Sequence, residues 1–249
     1  MRLKILGSGD AFGSGGRFNT CFLVERAGAD FLIDCGASAM IAIRRFGVDP
    51  NHIGAIFLTH LHADHFGGVP FFVLDAQHIS RRREPLVLVG PKGLVPRLTA
   101  FMEAGFPGSS TSEWNFRLET IEIEPGERTP VEAVDAAVTG FPVRHPSGAP
   151  SMGLRFECEG KALAYTGDTE WVDAIVDIGR GADILLAEAS TYERKVPYHL
   201  DFSTLRDRLG LIGAKRVVLT HMSADMLSRD PETFAGCEPA HDGLVIDIG

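Results

Sequence analysis

The sequence predicts an α/β fold in which mixed β-sheets are covered by helices. Three observations carry this expectation. Short apolar runs of strand length alternate with helical patterns along the chain, two pairs of those runs are joined by Gly-containing turns, and no Pro/Ser-rich linker divides the sequence. The chain has 249 residues, and single cores stop growing near roughly 250–300 residues, so residues 1–249 are read as a single domain.

Arg2–Leu6 is a short strand that runs into the glycine-rich segment Gly7–Gly16. That segment contains G-x-G but no G-K-[ST], and no helical pattern follows it, so it reads as a loop whose glycines allow close backbone approach rather than as a phosphate cradle. Cys21–Glu25 and Asp30–Asp34 flank Arg26-Ala27-Gly28-Ala29 as a hairpin, Ser38–Phe46 is helical, and Ala55–Thr59 is a short apolar strand. Val69–Ile79 is helical, Leu86–Val89 a strand, and Leu94–Ala104 a helix with Pro96 near its start. Thr120–Glu124 and Val134–Val143 read as strands, and Met152–Cys158 with Ala162–Tyr165 as a second hairpin around Glu159-Gly160. Then come a helix at Glu170–Ile178, a strand at Ile184–Glu188, a helix at Ser203–Leu211, and strands at Arg216–Thr220 and Leu244–Ile248. The run Arg81-Arg82-Arg83 is expected to be a solvated helix end.

Composition sets outer limits. Lys+Arg number 24 and Asp+Glu 33, a net charge of −9, with 45% apolar and 23% charged residues, which excludes a disordered tail, a collagen-like fibre and a disulfide scaffold. The four Cys (Cys21, Cys35, Cys158, Cys237) show no C-x-x-C pair and read as buried free thiols of a reducing compartment. With no signal-peptide pattern and no membrane-length apolar run, a cytoplasmic protein without membrane association is expected. The acidic balance disfavours nucleic acid as a partner, and a homodimer is left open.

The chemistry concentrates in His60-Leu61-His62-Ala63-Asp64-His65. On an extended strand end, His60 and His62 point to the same side, and Asp64 and His65 follow in the turn. Four polar groups behind the apolar run Ile56-Phe57-Leu58 are costly unless something satisfies them, and a pair of divalent metal ions does so. Imidazole and carboxylate suit zinc, with manganese or iron also compatible. A weak internal repeat points the same way: Ala55–Asp64 and Arg216–Asp225 are both apolar strands ending in Thr-His, and strand ends are where open α/β sheets place ligands. His52, His78 and His241 stand apart and read as ordinary surface residues.

Thr59-His60-Leu61-His62-Ala63-Asp64-His65-Phe66-Gly67-Gly68 resembles the signature of the metallo-β-lactamase superfamily. The resemblance extends to His145, to Asp168 in Thr166-Gly167-Asp168-Thr169, and to His221. It implies an αββα sandwich, with His60, His62 and His145 as ligands of one metal, Asp64, His65 and His221 as ligands of the other, and Asp168 bridging them. It also implies a hydrolase in which Asp64 accepts a proton from the nucleophilic water. The order Glu188…His199…His221 resembles the phosphodiesterase branch, which includes tRNase Z and a bacterial cyclic phosphodiesterase. There His199 would assist the leaving oxygen and Glu188 would orient His199. Asp201 or Ser203 is expected to cap the helix that starts near Thr204. His145 and Asp168 are separated by a single hairpin, with no room for the long arm of some tRNA-processing relatives. The function expected is therefore hydrolysis of a small anionic phosphodiester, cyclic ones included. The alternatives are lactone, thioester or β-lactam hydrolysis, tRNA 3′ processing, and, least favoured, a non-catalytic binding module.

Overall fold

The computed structural model describes residues 1–234 and 236–249, and their apolar runs assemble into two β-sheets packed face to face. The first half of the chain supplies β1 (Arg2–Gly7), β2 (Cys21–Glu25), β3 (Asp30–Ile33), β4 (Ile53–Phe57), β5 (Leu86–Gly90) and β6 (Leu118–Glu122). The second half supplies β7 (Arg128–Val131), β8 (Ala136–Pro142), β9 (Met152–Cys158), β10 (Lys161–Tyr165), β11 (Ile184–Glu188), β12 (Val217–Thr220) and β13 (Glu238–Pro239). The last strand, β14 (Val245–Asp247), returns to β1. Among the described residues the orders are β14-β1-β2-β3-β4-β5-β6 and β13-β12-β11-β10-β9-β8-β7.

The two sheets repeat one plan. An antiparallel hairpin, β2–β3 or β9–β10, passes into parallel strands, β4–β6 or β11–β13. The Thr-His repeat seen in the sequence does not follow that plan. β4 is the first parallel strand after its hairpin and β12 the second after its own, so Thr59-His60 and Thr220-His221 stand at non-equivalent places. The positional counterpart of β4 is β11, which ends in Glu188.

Between the sheets, Phe31, Phe57 and Phe156 meet at ring-centroid distances of 5.0–5.4 Å within one continuous apolar core. The outer face of the first sheet is covered by α1 (Ala39–Arg45), α2 (Ala63–Phe66), α3 (Val69–His78) and α4 (Leu94–Gly105). That of the second is covered by α5 (Ala174–Gly179), α6 (Phe202–Arg206), α7 (Leu209–Ile212) and α8 (Ala224–Leu227). Strands β4, β5, β11 and β12 are buried on both faces, which explains why they read as unbroken apolar runs rather than alternating ones. This is the αββα layering of the metallo-β-lactamase fold.

Some expectations shift. β7 and β13 are edge strands holding Pro130 and Pro239, a residue that edges tolerate and interior strands do not, and both escape a reading by apolar runs. The helix expected from Glu170 begins at Ala174, and the one expected at Ser203–Leu211 is two short helices, α6 and α7. Arg82 is not solvated. It is 2% exposed, donating from Nε to the Glu84 carbonyl (2.8 Å), from Nη1 to Pro50 (3.1 Å) and from Nη2 to Pro85 (2.7 Å). All four cysteines are free, with Cys21, Cys35 and Cys158 buried. Among the described residues no helix is long and apolar enough to cross a membrane.

Candidate metal centre

The polar residues of the site lie at or just beyond the carboxyl ends of neighbouring strands: Asp34 after β3, Thr59 and His60 after β4, Asp168 after β10, Glu188 closing β11, and His221 after β12. This edge is where strand carbonyls stop pairing and loops diverge, leaving room for a ligand. The two sheets are stitched there by Met152 N–H to the Thr59 carbonyl (3.0 Å) and His221 N–H to the Ser8 carbonyl (3.1 Å). Asp34 and His221 adopt φ of 56° and 57°, the left-handed region that side-chain-bearing residues enter at a cost. His62 forms the amino cap of α2, whose single turn carries Asp64 and His65.

Three donor groups result, two formed by the expected ligands and a third, overlapping one by Asp168, Glu188, His199 and His221. His60, His62 and His145 converge with ring centroids 4.8–4.9 Å apart, and His145 Nε2 lies 3.0 Å from His62 Nδ1. Beside them, His65 Nε2 is 3.3 Å from both Asp64 Oδ2 and Asp168 Oδ1, while His221 Nε2 is 3.2 Å from Asp64 Oδ2 and 3.4 Å from Asp168 Oδ2. Within each group the coordinating atoms lie within 4.8 Å of one another. His60 Nε2, His65 Nε2 and Asp168 Oδ1 are buried with no hydrogen-bond partner, an arrangement that is costly unless a cation takes the lone pairs. An N/O donor set of this kind suits a borderline divalent ion, so these residues fit divalent metal binding.

The backs of three imidazoles, those of His60, His65 and His145, are held so that Nε2 faces inward. The Thr59 hydroxyl donates to Asp34 Oδ2 (2.9 Å), which leaves its oxygen to accept from His60 Nδ1–H (3.0 Å). His65 Nδ1–H donates to Asp34 Oδ2 (2.6 Å), and His145 Nδ1–H to the Tyr198 carbonyl (3.0 Å). Such partners fix tautomer and ring orientation. In the sequence Asp34 looks like no more than the end of the run Asp30–Asp34, yet it is fully buried and anchors both Thr59 and His65.

Charge is divided sharply. Burial, reinforced by the charge on His65, pushes His60 well below its ordinary value and keeps it a neutral imidazole. Burial also works against protonation of His65 and His221, but Asp168 and Asp64 overcome it, raising His65 well above its usual value and His221 to about 10. In return, and against their own burial, Asp64 and Asp168 are held well below the carboxylate range, chiefly by His65 and His221. The second group is thus an anionic pocket that gathers positive charge.

Glu188 is fully buried, not a surface charge. Its Oε2 accepts from the backbone of Thr169 (2.7 Å) and Leu200 (3.3 Å), and its Oε1 lies 2.5 Å from His199 Nδ1 and 3.5 Å from His221 Nδ1. Burial would lower His199, yet the contact with Glu188 raises it. His199 is 4.0 Å from Asp168 and its side chain is 26% exposed, so it faces the open cavity. That cavity, about 570 Å³, is lined by His62, Asp64, His145, Asp168, His199 and His221. A larger one, about 780 Å³, opens at the amino ends of the parallel strands around Gly54, Pro85 and Arg117, and carries no such cluster. Asp201 caps α6, accepting from Thr204 N–H (2.9 Å), whereas Ser203 is no cap and donates its hydroxyl to Asp201 (2.6 Å). His52, His78 and His241 are exposed and do not line the cavity of the histidine clusters.

With this geometry in place, comparison with known proteins is decisive for the family: the one described as anti-Pycsar protein Apyc1 matches residues 1–237. The chain belongs to this family. The Apyc1-family chain is also 28% identical to a ribonuclease BN of Erwinia tasmaniensis, with 97% of this chain and 98% of the relative covered. That alignment spans 308 positions, more than this chain contains, so the relative carries segments with no counterpart here. Among solved structures, human tRNase Z, short form, superposes at a TM-score of 0.78 with 25% identity over 100% of both chains. A diphosphatase of the PhnP family superposes at 0.77 with 23% identity, covering 99% of this chain and 97% of that one. The metallo-β-lactamase fold inferred from the sequence is shown, and the chain has the fold of a family of metallo-hydrolases. One expectation is overturned. The acidic balance was taken to disfavour nucleic acid, yet full-length relatives are a ribonuclease and a tRNase. Net charge describes the whole surface, and it does not report the field inside a metal-binding cleft.

Proposed function

We propose that this chain hydrolyses phosphodiesters, with a small substrate, cyclic esters included, as the first choice, and with residues 1–249 acting as one unit. The observation that carries this reading is the Glu188–His199 pair standing beside two donor clusters. In this reading His60, His62 and His145 would hold one divalent ion and Asp64, His65 and His221 a second, with Asp168 available to both. Zinc suits the set, as do manganese and iron. When bound, such ions would lower the pKa of a water and offset the charge of a phosphoryl group. Asp64 accepts the proton of the attacking water. Glu188 holds His199 as the Nδ1–H imidazolium, leaving Nε2–H to protonate the departing alkoxide, which a phosphodiester needs and an activated acyl ester needs less.

A second reading, cleavage of a phosphodiester within RNA, is favoured by the ribonuclease relatives. One panel separates them: metal-loaded protein against a cyclic nucleotide, an aryl phosphodiester, a precursor tRNA, a lactone and a thioester. Turnover of the first two supports the proposal, faster turnover of precursor tRNA the second reading, and turnover of only the last two overturns both. His199→Ala is expected to keep its metal content while slowing cleavage of alkoxide-leaving diesters by roughly 10²–10⁴-fold. With a p-nitrophenolate leaving group the loss should be far smaller. Equal losses on both substrates would remove His199 from its role.

A further inference from the structure

Among the described residues Phe12 is the most exposed large apolar side chain, at 94%, and it stands on the wall of the cavity that holds the histidine clusters. The loop beneath it is not slack. Asp10, itself buried, accepts hydrogen bonds from the backbone N–H of Phe12 (3.1 Å) and of Ser14 (2.9 Å) and from the Ser14 hydroxyl (2.6 Å). Asp242 clamps both ends of the segment, accepting from Ser8 N–H (2.9 Å) and Phe18 N–H (2.8 Å). Gly13 turns the chain at φ 67°, directly after the ring. The backbone is therefore fixed while the ring is held out in water, with no aromatic partner of its own among the described residues. Folding has kept an apolar, planar surface out of the core at the mouth of a polar cleft, where one face of it is free to receive another planar group. Arg194 lines the same cavity and forms no ion pair among the described residues, which puts a cation on the cavity wall for an anionic ligand.

We infer that Phe12 is a specificity residue: a stacking platform for the nucleobase attached to the scissile phosphodiester. This rests on the phosphodiester reading above and adds what the non-reacting part of the substrate must be. Every base has a π-face, so a single exposed phenyl ring selects for a base without selecting strongly among bases. Such stacking is expected to change affinity by roughly 5–150-fold per base.

The test compares two ligands that differ only in the base, adenosine 5′-monophosphate and ribose 5-phosphate, by titration calorimetry on the metal-loaded chain. The wild type should prefer the nucleotide by a factor in that range, Phe12→Ala should bring the ratio close to one, and Phe12→Trp should preserve it. A ratio unchanged in Phe12→Ala together with unchanged binding of a short oligoribonucleotide, or equal weakening of both ligands, overturns the inference. So does a shift from dimer to monomer in Phe12→Ala by analytical ultracentrifugation with the ratio intact, since the ring would then face a second copy of the chain. A short oligoribonucleotide forms the other arm. Loss of preference for the mononucleotide places the base on a free nucleotide, and loss confined to the oligomer places it on an RNA end. Absence of diester turnover alongside base-dependent binding would sink the phosphodiester reading while leaving Phe12 as a base platform.

Discussion

Asp34 closes β3 with its carboxylate fully enclosed, and the two groups that face it, Thr59 and His65, both belong to the metal-binding segment. Its burial raises its own pKa, while His65 and Thr59 pull in the opposite direction without cancelling that rise. A carboxylate so placed acts by orienting other groups, and removing such a partner weakens metal binding by about 10–100-fold. Asp34→Asn is therefore expected to lower affinity for zinc by that factor in a chelator competition, with the fold intact by circular dichroism. Unchanged affinity would mean that the backbone alone positions His65. The difference between Asp34 and its neighbours also shows what the sequence could reveal. His60, His62, Asp64 and His65 announce themselves because their spacing has no inexpensive apolar explanation. Asp34 reads as the polar end of the run Phe31-Leu32-Ile33, as many strands end. Its signal was present only in comparison, since the matching hairpin Met152–Tyr165 is also followed by an aspartate, Asp168, three residues on.

At the level of elements, the segment carrying His199 is secured by the helix that follows it. Asp201 receives hydrogen bonds from Thr204 N–H, Ser203 and Lys195 Nζ (2.7 Å), so one carboxylate both caps α6 and ties down the loop at Lys195. Burial pushes the Asp201 pKa up, but Lys195, Ser203 and Thr204 outweigh it and the net shift is downward. A depressed carboxylate contributes stability above the unfolded-state pKa, near 3.9, and loses it as pH falls through the folded-state value. Asp201→Ala should cost about 0.5–2 kcal/mol at neutral pH by denaturant titration, and the gap to wild type should close below about pH 4. A gap that persists in acid would assign the loss to packing. The elements legible from sequence were those with long apolar periodicity, such as α3 and α4. The single-turn α2 and α8 were not, because a turn of that length is selected by what its side chains meet and not by propensity.

Across the whole molecule, the two sheets are joined by an aromatic contact that both halves of the chain build. Phe31 and Phe57 come from the first sheet and Phe156 from the second. Phe57→Ala should destabilise the fold by about 3–5 kcal/mol in a urea titration, with a single transition if the sheets unfold together. Two transitions would mean that each sheet has a stability of its own. The layered architecture was visible in the interleaving of strands and helices, whereas sheet order was not, since pairings such as β1 with β14 join the two ends of the sequence. That pairing has a consequence during synthesis. While the chain is still emerging from a ribosome, β1 has an open edge, Ser8 lacks both Asp242 and the N–H of His221, and the phenyl-bearing loop has no anchor at its base. An unpaired edge of this kind is a template for unwanted strand addition. The nascent polypeptide therefore gains the edge that carries its histidine clusters and loses its most adhesive one in the same late event, when β12 to β14 dock.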